Sequence, residues 1–136
     1  MLKLSSTPLD VAALRRELHN PEAGALVVFE GSVRTKNAGR DVQRLEYEGA
    51  EELARNEFGK IVEEARSQFE FIEARCVHRV GLLTPGETAI WIGVTSAHRA
   101  AAFAVCKYLI DELKKRLPIW KKEFYENGAS EWIHHA

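Results

Sequence analysis

Three stretches of this sequence place charged side chains where an anion or a proton could be handled. The first is Thr95-Ser96-Ala97-His98-Arg99, where an apolar, β-branched run gives way to a helical pattern. The first turn of a helix leaves backbone N–H groups unpaired and carries partial positive charge, which suits a phosphate. Arg99 can add a two-pronged clamp, and His98 can bind or move a proton. The same residues also fit an ordinary strand-to-helix turn, with Ser96 as the cap and two solvated side chains. The second stretch is Lys114-Lys115-Arg116, followed after Pro118 by Trp120-Lys121-Lys122-Glu123. Lysine serves as a fixed charge for an anion, or as acid or base when burial or neighbouring cations lower its pKa. Against this, Lys107, Asp111, Lys114 and Lys115 lie opposite an apolar stripe, as on any solvated helix face. The third is Arg34, with Lys36 and Arg40 in a polar, glycine-containing loop that either closes over an anion or simply joins two strands.

The elements that must position these groups follow from periodicity. Thr7-Pro8-Leu9-Asp10 has the form of a helix start with Thr7 as cap, and Leu14 and Leu18 continue it to Asn20-Pro21. Residues 25–34 read as a strand, 35–41 as a mobile loop, and 42–48 as a strand with less certain burial. Residues 51–69 carry Leu53, Phe58, Ile61, Val62 and Ala65 at helical spacing. Two further strands are expected over 71–80 and 88–96, separated by a turn at 81–86. The longest helix is expected over 99–117, with Phe103, Cys106, Ile110, Leu113 and Leu117 as its stripe. Pro118 stops it, and 119–125 resumes as an extended segment. There Lys121 and Glu123 share one face, and Trp120, Lys122 and Phe124 the other. The order implies an α+β fold, a mixed β-sheet packed with helices, in a single domain over residues 1–136.

Composition narrows the function. The chain has 136 residues and a net charge of -1, from 19 basic and 20 acidic side chains. That balance argues against nucleic acid and against a polybasic membrane anchor. No apolar run approaches the roughly 20 residues that span a bilayer, and no secretory signal is read at the start. Cys76 and Cys106 have no close Cys or His pair, so neither a zinc site nor a redox dithiol is expected. Both fit small core residues in a reduced, cytoplasmic setting. His78 shares the apolar face of Cys76 and Val80, which fits a hydrogen-bonded core histidine better than a catalytic one. His134 and His135 receive no assignment.

Four segments together resemble the large, catalytic subunits of molybdopterin synthase, the MoaE family. They are Phe29-Glu30-Gly31-Ser32-Val33-Arg34, His78-Arg79-Val80-Gly81, Gly93-Val94-Thr95-Ser96-Ala97-His98-Arg99, and the run from Leu113 to Glu123 that contains Leu117-Pro118-Ile119-Trp120-Lys121. The resemblance extends from about Gly24 to Trp132. It implies an α/β hammerhead-type fold and a homodimer of large subunits within a heterotetramer. The partner it implies is a small ubiquitin-like sulfur carrier whose C-terminal Gly-Gly ends in a thiocarboxylate. The implied substrate is cyclic pyranopterin monophosphate (precursor Z), and the implied activity is that of a sulfurtransferase in molybdenum cofactor biosynthesis. By positional match, Lys114 and Lys121 are the catalytic candidates, and Arg34, His98 and Arg99 join them in binding substrate. Neither a metal nor an organic cofactor is implied for this subunit. One departure stands out: some members of the family have a substrate-binding arginine shortly after the tryptophan matched by Trp132, whereas this chain reads Ile133-His134-His135-Ala136.

Two other classes fit the residues alone. A phosphate-binding module without catalysis would need Arg34, His98 and Arg99 and no lysine, although the glycine-rich phosphate loop of ordinary nucleotide folds is missing. An adaptor that only docks a ubiquitin-like partner would tolerate loss of charge at Lys114 and Lys121.

Overall fold

The computed structural model describes residues 1–134, so His135 and Ala136 lie outside the described residues. Three helices, α1 (Val11–Leu18), α2 (Glu51–Arg66) and α3 (Arg99–Arg116), accompany two sheets. The first sheet comprises β1 (Leu2–Ser5), β2 (Ala25–Ser32), β5 (Glu73–Arg79) and β7 (Thr88–Ser96), in the order β1-β5-β7-β2. β1 runs parallel to β5, and the other neighbours are antiparallel. The second sheet is built on β4 (Arg40–Gly49) and β8 (Ile119–Tyr125), paired antiparallel. Four short strands flank that pair: β3 (Lys36–Asn37), β6 (Gly81–Leu83), β9 (Gly128–Ala129) and β10 (Ile133–His134). The α+β expectation holds, with the strands divided between a mixed sheet and an antiparallel one.

β7 is the central strand, and every residue from Ala89 to Ser96 is buried. A strand covered on both faces reads as a continuous apolar run, which is why its bounds were legible. Ile90, Ile92 and Val94 join a core with Val105, Leu109 and Leu113 of α3 and Phe58 and Ile61 of α2. On the opposite face, Gly93 leaves room for Leu18 of α1. A Cβ there would lie 2.4 Å from the Trp91 ring and 2.6 Å from Leu18 Cδ2. Burial of each such Leu, Ile or Phe side chain contributes roughly 1.5–3 kcal/mol. Cys76 and Cys106 belong to this core, and burial pushes their thiols up to about 12 and about 11 respectively. Among the described residues, no helix is long and apolar enough to cross a membrane.

Several local expectations are corrected. α1 starts later than Thr7-Pro8 suggested: Asp10 is the cap, accepting from the Ala13 amide at 3.0 Å. The Thr7 carbonyl and amide instead turn back onto Ser5 Oγ. Ser96 caps nothing; it is buried, and its hydroxyl donates to the Glu70 carbonyl at 3.3 Å. The N-cap of α3 is His98, with no side-chain cap bond. The buried stripe of α3 runs Ala102, Val105, Cys106, Leu109 and Leu113. Phe103 lies one step off that stripe and is 62% exposed. β1 was missed, because four residues of weak alternation give little signal without the β5 partner that orders them.

The polar stretch 35–41 is an ordered hairpin rather than a mobile loop. Lys36 pairs with Asp41 and Asn37 with Arg40, leaving Ala38 and Gly39 as the turn, both at positive φ (52° and 77°). Positive φ at both central residues defines the tight turn that matches strand twist. Alanine at the first position hid it from sequence reading.

Candidate active site

The reversal after α3 brings two of the predicted residues together. Lys114 lies in the last turn of α3, where the helix dipole favours cations, and Lys121 is on β8. Between them Leu117 leaves the helix with extended ψ, and Pro118 has no N–H to continue the ladder. Leu117 and Ile119 are both 0% exposed and pin the turn into the core. The Ala50 amide donates to the Pro118 carbonyl at 3.2 Å and ties the turn to the end of β4. On β8 the register sets Lys121 opposite Tyr47 and Glu123 opposite Leu45. Opposed residues of an antiparallel pair share a face, and Leu45, Tyr47 and Glu123 are buried, so Lys121 points inward. That is the face-sharing expected of Lys121 and Glu123.

Arg34 reaches the same place from β2. Val33 is buried, accepts from the Gly86 amide at 2.8 Å and donates to the Glu87 carbonyl at 3.0 Å. Burial holds the Lys114 ammonium below the usual lysine range, and the charges of Lys121 and Arg34 add to the effect. Three cations therefore share one region. They differ in their partners. Lys121 Nζ is 3.4 Å from Glu123 Oε1, whereas no carboxylate pairs with Lys114 among the described residues. Its neighbours on the outer face behave as the solvated reading expects: Lys107 pairs with Asp111 and Lys115 with Glu112. Among the lysines of that helix, Lys114 is the exception.

A buried polar layer underlies the cations. His78 is 0% exposed, and its Nδ1 lies 2.6 Å from the Arg79 carbonyl. A carbonyl only accepts, so Nδ1 carries the proton. Burial, aided by the Lys114 charge and opposed by the Arg79 bond, pushes the ring down to about 4, so it is neutral at physiological pH. The core reading of His78 is borne out. The Tyr47 ring meets it edge-on at 4.8 Å, and burial with the Glu123 charge pushes the Tyr47 hydroxyl up to about 12.

His98 and Arg99 are not in this cluster. They open α3 and are exposed, whereas Lys114 closes it, about 22 Å away at 1.5 Å per residue. The sheet gives the same separation: Arg34 follows Ser32, which faces Thr88, while His98 follows Ser96 at the far end of β7, about 26 Å along the strand. His98 lines a separate groove of about 760 Å³ with Phe69, Phe71, Ile72 and Ala101. Within one chain the five predicted residues fall into two groups. Sequence reasoning missed Asn37 and Tyr125 as partners of Glu123 and Tyr47 as the residue opposite Lys121. The parity of β4 against β8 could have found Tyr47; nothing in the sequence singles out Asn37.

The arrangement offers clustered cations for an anionic substrate and a half-buried lysine without a counter-ion. Comparison with known proteins sharpens this. A profile of the family described as MoaE protein matches residues 4–116. The molybdopterin synthase catalytic subunit of Thermoplasma volcanium is 41% identical over 125 residues, covering 92% of this chain and 89% of that protein. The crystal structure of molybdopterin synthase from Staphylococcus aureus superposes with a TM-score of 0.90 at 33% identity, covering 97% of this chain and 96% of that one. A complex of subunits 1 and 2 of molybdopterin-converting factor from Helicobacter pylori has a TM-score of 0.78 at 25% identity, covering 98% and 88%. The chain belongs to the MoaE protein family, among whose curated relatives are catalytic subunits of molybdopterin synthase.

Proposed function

We propose that this chain is the sulfur-transferring subunit of a molybdopterin synthase. It takes sulfur from the C-terminal thiocarboxylate of a small ubiquitin-like subunit and delivers it to cyclic pyranopterin monophosphate, building the dithiolene of molybdopterin. The observation that carries this reading is the convergence of Arg34, Lys114 and Lys121 in a chain of this family. Substrate phosphate and incoming thiocarboxylate are both anionic, and preorganised cations stabilise such charges as they shift during reaction. Lys114, half-buried and without a carboxylate partner, orients the thiocarboxylate and stabilises developing charge. Lys121 assists departure of the phosphate oxygen or transfer of a proton. The sulfur arrives on the partner, so two buried, protonated thiols are no obstacle. A partner also accords with the Helicobacter pylori relative, which was solved as a two-subunit complex.

His98 and Arg99 enter through a second copy. If all five residues bind one substrate, the N-terminal end of α3 from one protomer must meet the Lys114 end of another. That is the homodimer within a heterotetramer implied by the resemblance. A reducing, cytoplasmic setting suits both the free thiols and the thiocarboxylate. The test combines purified chain, precursor Z and thiocarboxylated small subunit, with molybdopterin read as its fluorescent oxidation product. Product that requires the thiocarboxylate and is lost in Lys114→Ala supports the reading. A folded chain that binds the small subunit but forms no product points to the adaptor instead.

A further inference from the structure

Glu123 is 2% exposed, and several hydrogen bonds converge on it. Asn37 Nδ2 donates to both carboxylate oxygens, at 2.8 and 2.9 Å. The Tyr125 hydroxyl donates to Oε2 at 2.5 Å, and Lys121 Nζ stands 3.4 Å from Oε1. The Glu123 amide is itself fixed, donating to Ser130 Oγ at 2.8 Å. A carboxylate at this depth needs such partners, because an unpaired buried charge is strongly destabilising. Burial pushes the Glu123 carboxyl up, but Tyr125, Asn37 and Lys121 together outweigh it and leave it below the usual carboxylate range.

Of the three side chains just placed against the carboxylate, Lys121 and Tyr125 belong to β8 and Asn37 comes from β3. It sits immediately before the Ala38-Gly39 turn, whose positive φ values aim β3 back along β4. The same hairpin is fastened twice more. The Arg40 guanidinium stacks 3.7 Å above the Tyr125 ring, and its Nη2 donates to Asn127 Oδ1 at 2.8 Å. At the hairpin's base the Val42 amide donates to the Thr35 carbonyl at 2.8 Å, next to Arg34. Arg34 is thus carried by the segment that Asn37 locks, and Lys121 is paired with the carboxylate that Asn37 holds.

We propose that Asn37 is a positioning residue of the site: it fixes Glu123 beneath the Lys121 ammonium and holds the hairpin bearing Arg34 against the same strand. The two cations are then presented to the substrate anion as one preorganised unit. This rests on the sulfur-transfer reading above. Looseness of about 1 Å in such a unit costs on the order of a hundredfold in rate, so a neutral amide that touches no substrate can still govern turnover. The titratable groups facing Glu123 are Lys121 and Tyr125 on its own strand and Tyr47 on β4. The hairpin contributes neutral Asn37, with Arg40 one step further out over Tyr125.

The experiment measures kcat/KM against pH for wild type, Asn37→Ala, Asn37→Asp and Tyr125→Phe, in the complete system with thiocarboxylated partner and precursor Z. It also follows the Glu123 carboxyl by ¹³C NMR titration in the chain without substrate. Loss of the Asn37 bonds raises the Glu123 pKa, so the acid limb of kcat/KM moves up by about one pH unit. In Asn37→Ala, kcat/KM falls on the order of tenfold to a hundredfold, and the NMR titration moves with the acid limb. Asn37→Asp sets a second carboxylate against Glu123 and shifts both further. Tyr125→Phe removes the strongest bond that lowers the Glu123 carboxyl, so it shifts both in the same direction and at least as far as Asn37→Ala. It tests the link from Glu123 to turnover should Asn37→Ala fail to fold, with the near-isosteric Asn37→Asp testing Asn37 itself. Wild-type kcat/KM and acid limb in folded variants would overturn the proposal. Lost activity with an unmoved Glu123 titration would overturn it too, since a merely structural defect behaves that way. An inactive wild type would instead remove the reading on which the proposal rests.

Discussion

At its N-terminal end α3 opens with His98 and Arg99 in solvent, and no side chain closes the cap. At its C-terminal end Lys114 is half-buried, Leu117 and Ile119 are sealed in the core, and Arg116 grips α2 through Glu57 at 2.8 Å and Glu64 at 2.5 and 3.1 Å. One end offers unpaired N–H groups and exposed side chains; the other offers a half-buried cation whose charge its surroundings disfavour. Both ends were readable as anion sites from residue types. Only the second has been given neighbours that alter its chemistry, which is what catalysis demands beyond binding.

The difference predicts a sharp split in kinetics. Lys114→Ala should lower kcat on the order of 10²–10³-fold, the scale of removing one preorganised charge stabiliser. His98→Ala and Arg99→Ala should act mainly on KM. Steady-state assays of the three variants separate the two ends; equal loss of kcat in all three would erase the distinction. The second prediction concerns how the ends meet. Assayed at substrate well below the KM of Arg99→Ala, where both variants are weak, mixed and exchanged Lys114→Ala and Arg99→Ala chains should regain about a quarter of wild-type activity, because half the dimers are mixed and each has one intact site of two. No recovery, with exchange verified by mass spectrometry, would place both ends in separate functions.

How much of this was legible depended on the range of the interactions concerned. β7 and β8 were bounded correctly because a covered strand, and a strand started by Pro118, announce themselves locally. The face-sharing of Lys121 and Glu123 followed from strand parity alone. Phe103 was misplaced because a helical stripe tolerates a one-residue error until the surface it packs on is known; Ala102 and Val105 are buried, and Phe103 is not. Asn37 was invisible for a different reason. Its role lies in a bond to Glu123, a residue 86 positions away, and no local pattern encodes that. Likewise Arg34, His98 and Arg99 grouped naturally by chemistry, and only the length of α3 and β7 shows that one chain holds them apart.

A third prediction sharpens the state of the buried end. Burial, Lys121 and Arg34 all disfavour the charged form of Lys114, so it loses its proton at lower pH than an ordinary lysine. The ammonium is the form that holds an anion. Hence kcat/KM should decline as pH rises through that lowered value, which is the free-enzyme value that kcat/KM reports. Lys114→Arg keeps its charge across this range and should abolish the alkaline decline even if its peak rate is reduced. A persistent decline in Lys114→Arg would assign it to another group.

The smallest effect expected is on the scaffold that aims Lys114. Arg116 is a quarter exposed, and solvent screens its pairs with Glu57, Glu64 and Glu112, so their loss should cost little global stability. Arg116→Ala should lower Tm by no more than a few degrees, about 4 °C at most. Its effect on kcat should be larger than that stability loss suggests, because the last turn of α3 carries both Arg116 and Lys114 and loses its grip on α2. His98 and Arg99, at the other end, should bind substrate as before, leaving KM nearly unchanged. A calorimetric scan beside a kcat and KM measurement tests this. An Arg116→Ala chain whose KM rises while kcat holds would mean that α3 transmits the disturbance along its whole length, and that its two ends are not independent.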